Sequence, residues 1–222
     1  PHVTERLVEL GAEPEKILTL HRGIDIERFS GAGSEERVPN SFVVTRHLNR
    51  WYRIDTVLKA AAQAGREVGG LTGTVAGSGP AEEYLRDVAQ EEGLSEAVRF
   101  AGRVPHEELP GLLRRSSVYV SAVPTDGVSA SLLEAMATGC FPVVRDNAAN
   151  RHWVEDGVNG LLVAGDEPKA YAEAMVTAFT DDELRRKAME VNRGLVEDRA
   201  DNRKNLREIE AAYASLIKAR ER

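Results

Sequence analysis

The chain reads as a doubly wound α/β domain, a parallel sheet with helices on both faces, extended at its C-terminal end by extra helices. Three observations lead there. Short apolar runs bounded by Gly or Pro recur along the chain, segments of helical spacing separate them, and the separations are long enough to return each strand parallel to the last.

Taken in order, residues 1–29 begin with a helix in "HVTERLVELG", stopped by Gly11, then a short strand "ILTLH" and a turn "RGIDIERF". The loop "SGAGSEERVPN" (30–40) reads as a linker or domain boundary. The core strands are "SFVVT" (41–45), "GLTGTVAG" (70–77), "VRFAG" (98–102), "VYVSAV" (118–123), "FPVV" (141–144) and "GLLV" (160–163). Helical segments alternate with them: "IDTVLKAAAQAG", "PAEEYLRDVAQEEG", "PHEELPGLLRRS", "SLLEAMATG" and "NRHWVEDG". From Pro168 onward the chain is helical and charged, with Ala172, Met175, Val176 and Phe179, then Leu184, Met189 and Val191, then Leu206, Ile209, Tyr213, Leu216 and Ile217 on spacings of three and four. Those faces need an apolar surface to cover, and the same domain is the simplest one. The division expected is 1–35 as the end of a preceding domain plus linker, 36–167 as the ligand-binding domain, and 168–222 as the C-terminal helices.

Composition narrows the function. A chain of 222 residues can bury a real core without disulfides, and its one cysteine, Cys140, lies in an apolar run as a buried, reduced side chain would. The net charge of −7 argues against a broad nucleic-acid or anionic-lipid surface, while leaving room for a local basic pocket that holds one phosphorylated ligand. No apolar run approaches the roughly 20 residues of a membrane span, and no signal peptide is visible. The chain starts at Pro1, so it is read as a piece of something longer.

In open α/β sheets ligands sit at the carboxyl ends of the strands, where helix N-termini offer backbone N–H groups to phosphate. The loop after the first core strand, "RHLNRWYR", brings Arg46, Arg50, Tyr52 and Arg53; for any one of these arginines taken singly, a solvated residue paired with an acid such as Asp55 is the simpler account. "GSGP" follows the second strand with Gly77 and Gly79, but Glu82 stands where a dinucleotide fingerprint wants glycine, so no nicotinamide or flavin site is read there. After the third strand come Arg103, Val104 and His106, for which ordinary surface roles are the simpler account. "TDGVSASLLE" follows the fourth. There Gly127 allows close backbone approach, and the amides of Val128, Ser129, Ala130 and Ser131 open a helix between Asp126 and Glu134.

In this order "LHRGIDIERF", "VVTRHLNRWYRIDTVLKAA", the long run from "VAGSGP" through "TDGVSASLLEAMATGCFPVV", and "WVEDGVNGLLV" resemble the carboxyl-terminal, Rossmann-like donor-binding half of retaining glycosyltransferases of the GT-B fold, family 4. The resemblance spans nearly all of 17–180. It implies transfer of a sugar from a nucleotide-diphosphate sugar, a UDP- or GDP-sugar, to a glycan, lipid-linked or small-molecule acceptor, with retention and without metal or other cofactor. Family members carry two glutamates separated by seven residues, and Asp126 and Glu134 occupy those places. By resemblance Asp126 meets the donor sugar and Glu134 the ribose, whose vicinal diol a carboxylate can accept from twice. Arg46 matches the family's diphosphate arginine, whereas Tyr52 stands at its lysine, leaving Arg50 or Arg53 to supply a second cation. Backbone at Gly102, Arg103 and Val104 would lie near the base.

The Asp-x-Asp pair of metal-dependent glycosyltransferases is not found; "DRAD" (198–201) has the wrong spacing. The resemblance further implies a missing N-terminal domain as partner, toward which the C-terminal helices pack, a fragment inactive in transfer when alone, and a cytoplasmic location with any membrane contact made through the absent domain. Two other readings stay open: a GT-B sugar-nucleotide epimerase and a non-catalytic nucleotide-sugar-binding module. A phosphorylase is disfavoured because no Schiff-base lysine stands out.

Overall fold

A computed structural model of the chain describes residues 2–19, 23–30, 37–127 and 129–220. Six strands form one sheet: β1 (Val38–Thr45), β2 (Thr72–Ala76), β3 (Val98–Gly102), β4 (Ser116–Ser121), β5 (Phe141–Arg145) and β6 (Leu161–Val163). Their order is β3-β2-β1-β4-β5-β6, and every neighbouring pair is parallel. This is the doubly wound arrangement expected, with the order reversing between β1 and β4.

The helices are α1 (His2–Glu9), α2 (Ile54–Val68), α3 (Glu82–Glu91), α4 (Leu109–Arg115), α5 (Ala130–Ala137), α6 (Ala148–Arg151), α7 (Pro168–Thr180), α8 (Asp182–Arg199) and α9 (Asn202–Arg220). Side chains alternate across the pleat, so Phe42 and Val44 of β1 enter one core while Val43 enters the other. The first core sets the sheet against α2, α3 and α7; the second sets it against α4, α5 and α8, with Phe29 and Ile24 of the incoming segment. The alanines at 60, 61 and 64 keep α2 slim where α7 lies against it. Gly73 on β2 has no side chain because the ring of Phe42 fills that space.

All six core strands fall where the sequence places them, and three local expectations are corrected. No strand forms across Ile17–Thr19, where Leu18 is exposed and no neighbouring strand is available among the described residues; the remainder of "ILTLH" lies outside them. β1 starts earlier than expected, inside the anticipated linker, because Val38 pairs with Ser116 of β4 ahead of an irregularity between Val38 and Phe42, where Asn40 has a positive φ of 50°. The helix expected over 150–157 is instead α6. Asn147 caps its start by accepting from the Asn150 amide at 2.9 Å, and the Asn159 side chain then accepts from the Glu155 amide at 2.7 Å and donates to the Trp153 carbonyl at 2.9 Å, which winds 153–159 into a turn.

α1 ends as expected, with Gly11 at φ 95° donating its amide to the Val8 carbonyl. Of the C-terminal helices, α7 buries Tyr171, Ala172, Met175 and Phe179, and α8 buries Ala188 and Val196. On α9, Leu206, Tyr213, Leu216 and Ile217 are exposed.

Candidate functional site

After β1 the chain turns to α2 on one face; after β4 it turns to α5 on the other. The divergence opens a crevice at the carboxyl ends of these two strands, where an α/β sheet binds ligands. Arg46 leaves the end of β1 into that crevice. Its guanidinium donates to Asp126 and, at 2.7 Å, to Ser129 Oγ, and lies 5.3 Å from the centre of the Tyr52 ring.

The surroundings lock this arrangement. Ser129 caps α5 by accepting from the Leu132 amide at 3.3 Å, Ser131 Oγ donates to the Thr45 carbonyl at 2.9 Å, and Asp126 Oδ1 accepts from the Gly127 amide at 2.8 Å. The end of β1 and the first turn of α5 are thereby joined. Burial disfavours the charge on Arg46, but the Tyr119 phenol and the Asp126 carboxylate more than offset it, so the group is held above its ordinary value. Its Nε is buried and meets no acceptor among the described residues. A permanent cation therefore sits beside a helix start, a place that favours anions.

Glu134 sits further along α5 and is only 7% exposed. Burial raises its pKa, and the hydrogen bond from His106 partly offsets that. His106 Nε2 lies 3.3 Å from Glu134 Oε1, and His106 Nδ1 lies 2.9 Å from the Arg28 guanidinium. These groups border a cavity of about 620 Å³ that also meets Gly23, Ala130 and Asn202.

The remaining sequence-predicted residues are spread more widely. Arg50 stacks 3.9 Å from the centre of the Tyr84 ring. Arg53, in the left-handed conformation at the start of α2, is paired with Asp166 and with Asp55 at 3.6 Å and donates to Thr56 at 3.2 Å. Gly77 and Gly79 bring the β2–α3 loop against the carbonyls of Arg46 and Leu48, which a Cβ at either position would strike. Arg103 and Val104 border a separate groove of about 640 Å³ with Thr74, Arg99 and Arg115. A Cβ on Gly127 would meet nothing within 4 Å. Val128 lies outside the described residues.

The structure thus gathers Arg46, Tyr52, Asp126, Gly127, Ser129 and Ser131 at the crevice, with Ala130 and Glu134 in the adjoining cavity. Sequence reasoning assigned no role to Arg28 and left His106 as surface. The contacts that join them to the site span 78 and 28 residues, and the local pair of Arg28 with Asp25, at 3.9 Å, reads as an ordinary surface ion pair. Among the described residues no three His, Cys, Asp or Glu side chains are grouped to hold a metal ion, and no helix is long and apolar enough to cross a membrane.

Residues 25–194 match the family model described as glycosyl transferases group 1. The D-inositol 3-phosphate glycosyltransferase 1 of Catenulispora acidiphila is 30% identical over 203 residues, covering 83% of this chain and 48% of that protein. The pneumococcal O-GlcNAc transferase GtfA in complex with UDP and GlcNAc superposes with a TM-score of 0.84 at 22% identity, over 97% of this chain and 43% of that one. Anabaena Alr3699/HepE in complex with UDP and glucose also gives 0.84, at 18% identity, over 96% of this chain and 60% of that one. The chain spans about half the length of the curated relatives it matches.

Proposed function

The chain belongs to the group 1 glycosyltransferases, and we propose that it is the donor-binding half of a retaining, metal-independent enzyme of family 4 that transfers a sugar from a UDP-sugar to an acceptor hydroxyl. One observation carries the reading: Arg46 is held by Asp126 and Ser129 at the crevice between β1 and β4, beside the first turn of α5. UDP as the nucleotide is supported by its presence in the two structural neighbours.

Breaking a glycosyl–phosphate bond builds negative charge on the leaving diphosphate and positive character on the sugar ring. Arg46 and the free amides at the start of α5 are in place before the bond breaks, so they favour the transition state over the bound donor. The helix-start amides add a second positive contribution, Arg50 or Arg53 supplies the further cation in place of the family lysine, and Tyr52 can add a neutral O–H donor. Asp126 accepts from hydroxyls of the donor sugar. Glu134 accepts from the ribose diol, and Gly127 lets the donor approach the backbone. Gly77 and Gly79 act by shaping the loop under Arg46, and the family resemblance puts the backbone of Arg103 and Val104 near the base.

A further N-terminal domain supplies the acceptor site and excludes water, and the exposed apolar row of α9 suits contact with it. Without that half, nucleotide binding proceeds and transfer does not. In the cell the assembled enzyme works in the cytoplasm on a glycan, lipid-linked or small-molecule acceptor.

Calorimetric titration of UDP, GDP, ADP and dTDP against this chain and its Glu134→Ala variant, without added metal, tests the reading. Selective UDP binding that is lost in the variant is the expected result. Failure of every nucleotide to bind, or equal binding by the variant, counts against it.

A further inference from the structure

Three side chains from three separate segments meet in the cavity beside α5. Arg28 comes from the incoming 23–29 segment, His106 from the loop after β3, and Glu134 from α5. A guanidinium has only donors, so His106 Nδ1, 2.9 Å from Arg28, is the accepting nitrogen. The proton of the neutral ring is then on Nε2, which donates to Glu134 Oε1 at 3.3 Å. Both ends of the ring specify the same tautomer. The edge of the Phe29 ring, 5.3 Å from the imidazole centre and inclined at 62°, holds its plane.

We propose that Arg28 and His106 form a positioning relay that aims Glu134 at the ribose diol. The inference rests on the reading of Glu134 as the ribose acceptor. His106 restrains Oε1 only, and among the described residues no protein donor reaches Oε2, which is left to take hydroxyls from the ligand. The relay also opposes the cost of keeping a carboxylate ionised at this depth, since an N–H aimed at the anion favours the accepting form. Besides apolar and amide side chains, one further charge lines the space among the described residues: Asp25, which pairs with the Arg28 guanidinium at 3.9 Å. Arg28 and His106 are positioning residues: neither needs to touch the reacting atoms. The incoming segment thereby takes part in nucleotide recognition through a contact 78 residues distant in the chain.

The test combines ring ¹⁵N NMR of His106 with UDP titrations from about pH 5.5 to 8, across which an imidazole can titrate, with GDP as a second probe. In the unmodified chain the spectra are expected to show the Nε2–H tautomer, and in Arg28→Met a mixture of both. His106→Phe keeps the ring contact with Phe29 and removes the donor; UDP binding is expected to weaken about tenfold near neutrality, the equivalent of one hydrogen bond to a charged group. Its acid limb is expected to move to higher pH. His106→Gln, which restores an N–H, should recover most of the affinity. An Nδ1–H tautomer in the unmodified chain, or a Phe variant with unchanged UDP affinity and pH profile, overturns the relay. Should Glu134→Ala bind UDP as well as the unmodified chain, the ribose assignment is what fails, and the tautomer alone then decides whether the Arg28–His106–Glu134 linkage exists.

Discussion

The Arg46–Asp126 pair is the feature of the crevice whose energetics can be worked most directly. The two side chains are 15% and 26% exposed, so solvent screening is limited and the pair stands between a surface ion pair and a fully buried one. A hydrogen bond to a charged group contributes about 1.5–3 kcal/mol net. Arg46→Met removes that bond, the bond to Ser129 and the stacking on Tyr52, for an expected loss of about 3 kcal/mol. Asp126→Asn keeps the Gly127 contact and loses only the charge, for about 2 kcal/mol. If the pair acts as a unit, the double variant should lose little more than Arg46→Met alone, giving a coupling of about 2 kcal/mol. Urea unfolding of the four proteins at one pH, followed by circular dichroism, supplies the cycle. A coupling below about 0.5 kcal/mol, the ordinary scatter of independent sites, would refute the claim that Asp126 holds Arg46 in place. The same variants separate the functional roles: Arg46→Met should weaken UDP binding by about 30-fold or more, the cost of a lost charge-assisted contact. Asp126→Asn, which keeps a shorter-range hold on Arg46, should weaken UDP less than Arg46→Met does and weaken a UDP-sugar further.

Other consequences are as direct. Gly127→Ala places a Cβ with no described non-adjacent heavy atom within 4 Å, so its unfolding free energy should stay within about 0.5 kcal/mol of the parent, while calorimetry should show donor binding reduced at least about tenfold; a stability loss with intact binding would reverse that assignment. Gly73→Ala forces a methyl into the Phe42 ring, which is only 1% exposed and has nowhere to move, and thermal unfolding should show a loss of about 1–3 kcal/mol, or about 2–4 °C for each of them. The Cys140 thiol, fully buried and pushed up to about 12, should resist a thiol-reactive dye until the chain unfolds, whereupon one equivalent should react. Glu134 is raised in the folded state, so its ionisation opposes folding. Its contribution to ligand-free stability should fall as pH rises from the ordinary carboxylate range through the raised value, against the opposite contribution of lowered groups such as Asp146, and the stability difference between the parent and Glu134→Gln should show that fall.

The order and type of the elements were legible in the sequence because the signals that set them are local. Apolar runs such as "VYVSAV", Gly and Pro at their ends, and helical spacing between them depend on neighbours a few residues away, and they place all six strands. The misplaced pieces share a cause. Each lies where contacts beyond its own local pattern decide: at 17–19 an apolar run lacks a strand to pair with, and beyond α6 the Asn159 side chain takes the Trp153 carbonyl and Glu155 amide that a longer helix would use.

The crevice itself was half legible. The residues "TDGVSASLLE" and Arg46 could be picked out because a loop following a strand and opening a helix has a chemistry of its own. Which arginine faces the crevice was decided elsewhere. Arg46, Arg50 and Arg53 lie within eight residues of one another, yet Arg46 meets Asp126, Arg50 meets Tyr84, and Arg53 meets Asp166 as well as the nearby Asp55. Asp126 and Asp166 stand 80 and 113 residues from Arg46 and Arg53, and Glu134 meets His106 across 28. Local sequence sets where the backbone turns and supplies near neighbours such as Asp55 for Arg53; the pairings that build the crevice are decided by long-range packing once the sheet closes, because an ion pair across the fold depends on distance in space and leaves no periodicity in the chain.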